Sequence, residues 1–188
     1  MRKHRIKSVE TLYEGWGRLL KLWIEQPDGH VIGREVEDHG AAVAVLPYDP
    51  GRRTVLLVRQ FRAPLAHACG EDSLLEAPAG MLDEDDPEDC ARREAEEEVG
   101  LRLTALEPVG AVWSMPGVST ERMHLFLAPY AQGDRIAAGG GLAEEHENIE
   151  VVEMPLSELA GMAEHGALAD LKTLALVQAL RLRRPELF

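Results

Sequence analysis

The sequence predicts an α/β chain of the α+β kind: an α/β/α sandwich on a mixed sheet, preceded by a small antiparallel β appendage. Three observations lead there. Two continuous apolar runs, AAVAVLPY (41–48) and TVLLVRQF (54–61), flank the turn Asp49-Pro50-Gly51 and suit strands covered on both faces. A helix bounded by Pro87 and Gly100, residues that favour a first turn and a C-cap, falls between strand-like segments. Two further helical patterns close the sequence, and this order favours a sandwich over a doubly wound nucleotide fold.

Along the chain, residues 7–38 read as extended segments: KSVETLY, then RLLKLWIE after Gly15 and Gly17, then HVIGREVED after the turn Pro27-Asp28-Gly29. Leu12, Tyr13, Trp16, Leu19, Leu20, Leu22, Trp23 and Ile24 are more apolar bulk than so small a sheet can bury alone. Residues 1–38 are therefore expected to be an appendage needing a partner surface, and 39–188 the main domain. After the two central strands, a polar loop through Gly70 leads to SLLEAPAG and then to the Pro87 helix. LTALEPVGAVW and ERMHLFLAPY read as strands joined through Ser114-Met115-Pro116-Gly117, AAGGGLAEEHEN as a flexible acidic loop, and IEVVEM as a short strand. PLSELAGMAEHG reads as a helix beginning with proline. DLKTLALVQALRLRR reads as an amphipathic helix with Leu171, Leu174, Ala175, Val177 and Leu180 at helical spacing.

The 188 residues are 45% hydrophobic, enough for one full core and an appendage. No apolar run approaches the roughly 20 residues of a membrane-spanning helix, so no membrane partner is expected. The segment MRKHRIKSVE lacks the apolar stretch of a secretory signal, and Cys69 and Cys90 fit neither a ligand spacing nor a disulfide framework; a cytoplasmic location is the expectation. A net charge of −13 without a long basic stripe argues against nucleic acid as a partner. The acid is concentrated: residues 83–98 hold ten carboxylates against Arg92 and Arg93, and residues 144–153 hold five with no Lys or Arg. These are either two solvated faces or two halves of a cation site.

On the helix, Glu94, Glu97 and Glu98 stand at i, i+3 and i+4, within one arc of roughly 100°. Ala91, Ala95 and Val99 form the adjoining small apolar stripe, so the helix can pack closely on a sheet while turning its glutamates toward a cleft, with Glu96 left in solvent. Like charges at this spacing repel, and a hard divalent cation such as Mg²⁺ is one counter-charge; an ion pair to Arg93 is another.

The segment from Gly80 through Arg93-Glu94-Ala95-Glu96-Glu97-Glu98-Val99-Gly100-Leu101 resembles the Nudix box. Its second half matches at every defined position. Its first half is one residue shorter and carries Asp85 where the pattern has Glu. The likeness extends along nearly the whole chain to the nucleoside-diphosphate-sugar pyrophosphatase branch of that family. It is carried by Gly33-Arg34-Glu35-Val36, by Arg59-Gln60-Phe61-Arg62, by Glu76-Ala77-Pro78-Ala79-Gly80, by Pro116-Gly117 through Glu121, and by Leu142 through Ile149.

The resemblance implies hydrolysis of the pyrophosphate bond of a nucleoside diphosphate sugar by water attack at phosphorus. ADP-ribose, cleaved to AMP and ribose 5-phosphate, is the first expectation and GDP-mannose the alternative. It implies Mg²⁺, with Mn²⁺ as a substitute, held by Glu94, Glu98 and the Ala79 carbonyl, with Glu147 as a further ligand. Glu97 is a third candidate on the helix. Glu145 and Glu147 match positions that supply the catalytic base and a metal contact, on a loop that Gly139, Gly140 and Gly141 would let swing; His146 is a further proton acceptor to weigh. Arg34 and Arg62 correspond to substrate-binding arginines, Glu76 adjoins the metal loop, and Glu121 is placed to receive a sugar hydroxyl. The same branch implies a homodimer paired through the N-terminal strands, with Arg34 acting in trans. A sensor that binds nucleotide sugar without hydrolysis is the rival reading, against which the retained helix glutamates weigh.

Overall fold

The computed structural model describes residues 3–82, 86–142 and 147–188. The chain divides into two compact units: residues 1–41 with 113–122, and residues 42–112 with 123–188.

The first unit contains an antiparallel sheet in the order β1-β2-β3, from β1 (Arg5–Glu14), β2 (Arg18–Glu25) and β3 (Val31–Asp38). Two register shifts in β1, between Ile6 and Ser8 and between Thr11 and Tyr13, bend the edge strand. Every residue of β1 is exposed, including Ile6, Val9, Leu12 and Tyr13, and Trp16 is 82% exposed. Segment 113–122 joins this unit: the Glu37 amide donates to the Val118 carbonyl and the Thr120 amide to the Glu37 carbonyl, at 2.8 and 2.9 Å.

The second unit is the layered one. Its mixed sheet runs β10-β5-β4-β9-β8, from β4 (Ala41–Asp49), β5 (Thr54–Phe61), β8 (Glu107–Trp113), β9 (Arg122–Pro129) and β10 (Glu150–Pro155). β4 and β9 are parallel, while β5 is antiparallel to both β4 and β10. Alternation along the central strands sorts their side chains onto two faces. Val43, Val45, Leu56 and Val58 pack with α2 (Pro87–Val99), through Ala91, Ala95 and Val99. Ala44, Leu46, Val55 and Leu57 pack with α3 (Leu156–Glu164) and α4 (Leu171–Arg183), through Leu159, Leu176 and Leu180. That is the expected α/β/α sandwich. Among the described residues no helix is long and apolar enough to cross a membrane.

β4 and β5 pair only beside their turn, at Tyr48–Val55 and Asp49–Thr54, and then part. The gap takes two short strands, β6 (Ser73–Glu76) along β5 and β7 (Ala79–Leu82) along β4. Segment 77–80, which joins them, is thereby set into the middle of the sheet.

Three sequence expectations need correction or completion. The polar loop before Gly70 contains a helix, α1 (Ala63–Cys69), with a proline in its first turn and Gly70 as its left-handed cap at φ 79°. In the C-terminal helix one expected position departs: Leu171 is 62% exposed, whereas Val177 and Leu180 are buried, Leu174 and Ala175 pack against the core, and Thr173 and Leu176 join the buried face. The Thr173 hydroxyl accepts from the Ala77 amide, which the apolar pattern alone does not reveal. Finally, Gly139–Gly141, expected only as a hinge, also lie against the end of α2. The amides of Gly140 and Gly141 donate to the carbonyls of Glu98 and Glu97, and a Cβ on Gly139, at φ 74°, would lie 2.4 Å from the Glu98 carbonyl oxygen. These glycines permit close backbone contact with the end of α2.

Candidate active site

α2 is defined at both ends by its own sequence. The Asp86 side chain accepts from the Glu88 amide, a proline occupies the first turn, and Gly100 closes the helix in a left-handed conformation at φ 69°. Because Ala91, Ala95 and Val99 press on the sheet, the neighbouring Glu94 and Glu98 are carried inward and buried, while Glu96 stays exposed.

The 77–80 segment meets these two glutamates. The Ala79 amide donates to Glu98 Oε2 at 3.0 Å. Gly80 is open toward Glu94, so that an added Cβ would fall 2.1 Å from the carboxylate carbon. Burial pushes the Glu94 carboxyl up to about 7, with the charges of Glu97 and Glu147 adding to the effect and Arg93 opposing it. Burial also pushes Glu98 up to about 8; the Ala79 hydrogen bond and Arg62 oppose this, and the charges of Glu94 and Glu147 reinforce it. Glu147, on the segment after Gly141, is thus within electrostatic reach of both. Its Oε2 accepts from the Leu142 amide at 3.1 Å.

Arg93 takes the role of internal counter-charge, reaching Glu94 at 2.9 Å and Glu97 at 3.2 Å. Glu98, among the described residues, has no such cation in hydrogen-bond contact. Among the described residues no group of three His, Cys, Asp or Glu side chains could by itself hold a metal ion. The donors nevertheless suit a hard cation: the carboxylate oxygens of Glu94 and Glu98, with the Glu94 carboxylate lying where a Cβ on Gly80 would fall.

The remaining expected residues fall in several places. Glu76 is 2% exposed at the end of β6 and accepts two hydrogen bonds from Arg62, Nε at 2.6 Å and Nη2 at 2.9 Å, and another from Lys172 Nζ. Burial raises its carboxyl, yet the hydrogen bonds and charges of Arg62 and Lys172 outweigh that and hold it below the usual range. In the first unit, Arg34 Nη1 donates to the Gly33 carbonyl at 2.9 Å, and Glu121 Oε1 stands 3.5 Å from His39 Nε2. Glu145, His146 and Asp85 lie outside the described residues.

Sequence reasoning placed the start of α4 at Asp170 but missed the polar network built there. Lys172 Nζ also donates to Asp170 Oδ1 at 3.0 Å, and Asp170 Oδ2 caps the helix by accepting from the Thr173 amide at 2.9 Å. The signal available was the pattern Asp170-Leu171-Lys172-Thr173, a cap residue followed by polar groups within an apolar stripe.

The NUDIX domain profile matches residues 38–177. The chain is 44% identical over 163 residues to a GDP-mannose pyrophosphatase of Cronobacter sakazakii, covering 85% of this chain and 84% of that protein. It is 39% identical over 161 residues to a GDP-mannose pyrophosphatase of Escherichia coli strain K12, covering 84% and 83%. A solved structure described as an ADP compounds hydrolase superposes with a TM-score of 0.79 over 99% of this chain and 96% of its own, at 19% identity, a likeness of fold. With the helix glutamates and the Gly80 cradle in their places, the chain belongs to the NUDIX family.

Proposed function

We propose that the chain hydrolyses the pyrophosphate bond of a nucleoside diphosphate sugar, releasing a nucleoside monophosphate and a sugar phosphate. The observation that carries this reading is the burial of Glu94 and Glu98 on one face of α2 against Ala79 and Gly80, with the charge of Glu147 acting on both. GDP-mannose is the first substrate to test, because relatives at 39–44% identity bear that name. ADP-ribose is the second, favoured by the likeness of Leu142–Ile149 to ADP-ribose pyrophosphatases.

In this reading Glu94, Glu98 and the Ala79 carbonyl hold Mg²⁺, or Mn²⁺ in its place, with Glu147 as a further ligand. When bound, the ion neutralises phosphate charge and lowers the pKa of water. Arg62, fixed by Glu76, presents a planar fork to a phosphate; by the family resemblance, Arg34, acting in trans from a partner subunit, and Glu121 are further substrate-binding residues. Glu145 or Glu147 accepts the proton of the attacking water at a carboxylate oxygen. Glu97, tied to Arg93, contributes negative charge to the same helix face.

The exposed apolar residues of β1 and its unpaired edge support a homodimer formed through residues 1–38, with residues 39–188 as the hydrolase domain. The test is incubation with Mg²⁺ and GDP-mannose, ADP-ribose, ADP-glucose, NADH or diadenosine polyphosphates, with products separated by chromatography. GMP and mannose 1-phosphate, or AMP and ribose 5-phosphate, are the expected products. Binding of a nucleotide sugar without any product would favour the sensor.

A further inference from the structure

Three consecutive residues of the 77–80 turn are each tied to a different element. The Ala79 amide donates to Glu98 on α2, and the Pro78 carbonyl accepts from the Val45 amide of β4 at 2.9 Å. The third tie comes from α4, 96 positions further along the chain: the Ala77 amide donates to Thr173 Oγ1 at 2.6 Å. Thr173 and Ala77 are both fully buried, so nothing from solvent can replace this bond.

The direction of the bond is set by Asp170. Its Oδ2 accepts the Thr173 hydroxyl proton as well as the Thr173 amide, and Lys172 holds its other oxygen. A threonine hydroxyl has one proton; with that committed to Asp170, its lone pairs face Ala77. Pro78 follows with its φ fixed, which also narrows the conformations open to Ala77. A displacement of Ala77 therefore passes to Ala79 and Gly80 with little slack, and those residues touch Glu98 and Glu94.

We infer that Thr173 is a positioning residue for the acidic site: its hydroxyl, oriented by Asp170, pins the Ala77 amide and so fixes the 77–80 turn against Glu94 and Glu98. The inference rests on the divalent-metal reading of that site and assigns it a support outside the Nudix box.

The test is titration of the full-length, metal-free protein with Mn²⁺, followed by electron paramagnetic resonance without substrate, for wild type, Thr173→Val and Thr173→Ser. Loss of an outer support of this kind weakens metal binding by about 10–100-fold. Thr173→Val, which keeps the shape and deletes the acceptor, is expected to lie in that range and to speed hydrogen exchange at the Ala77 and Ala79 amides. Thr173→Ser, which keeps the hydroxyl, is expected to restore both. If Thr173→Val does not fold, Thr173→Ala takes its place, with the same expected weakening. Wild-type affinity in the folded Val or Ala variant, even with a lowered Tm, would overturn the inference, as would a Ser variant as weak as Val. Wild-type protein that bound no Mn²⁺ would overturn the metal reading itself, a result distinguishable by the arm in which it occurs.

Discussion

Glu76 and the pair Glu94 and Glu98 are buried glutamates of the same layered unit held under opposite electrostatic conditions. Glu76 is met by Arg62 and Lys172, and its carboxyl is held below the ordinary range despite burial. Glu94 and Glu98 are surrounded by more acid than base, and burial drives them to about 7 and about 8. Burial alone does not mark a functional carboxylate. The mark is burial with a deficit of positive charge, a destabilising arrangement that a bound cation relieves.

The largest effect expected from this contrast is at the satisfied member. Glu76→Gln leaves Lys172 and Arg62 without their shared partner, and because Arg62 is partly solvated and Lys172 keeps Asp170, the loss of stability should be about 3 kcal/mol, read by urea denaturation. No loss would show that the network contributes nothing beyond its solvated alternatives. Glu98→Gln should do the reverse: turnover falls by about 100-fold or more, while the metal-free protein becomes more stable at pH 8. Unchanged turnover would remove Glu98 from the site.

A third expectation concerns pH. Glu94 and Glu98 have folded-state values raised above the roughly 4.3 of an unfolded glutamate, so their contribution is full below that value and is lost as pH rises through about 7 and about 8. The Tm of the metal-free protein should therefore fall between pH 5.5 and pH 8.5, by about 2–8 °C, and saturating Mg²⁺ should flatten the decline. A Tm that rose over this interval would contradict the deficit. The smallest effect is expected at Glu96, which is exposed and only 3.9 Å from Arg102: Glu96→Gln should change stability by less than about 0.5 kcal/mol and leave turnover as it was.

The sequence already carried the sandwich and the helix of glutamates because both depend on local pattern: apolar alternation in β4 and β5, a proline and a glycine bounding α2, and small residues beside acidic ones. What stayed hidden depends on contacts made across long stretches of chain. Arg62 and Glu76 were legible as polar residues near the turn, but Lys172 is 96 positions from Glu76, and no spacing rule connects them. Thr173 stands on the buried face of α4 with its hydroxyl satisfied by Ala77, an interaction with no periodic signature. The triple glycine was legible only in part for a related reason: a glycine run signals freedom in isolation, whereas contact with the end of α2 turns the missing Cβ into room for another backbone.

The parting of β4 and β5 bears on the shortened first half of the acidic motif. Ala79 and Gly80 reach the last two turns of α2 directly, through the Glu98 carboxylate and the open face toward Glu94. Alignment of donors is thus secured across space, by contacts between β7 and α2. A count between Gly80 and Arg93 that misses a consensus spacing by one therefore need not part Glu94 and Glu98 from Ala79 and Gly80.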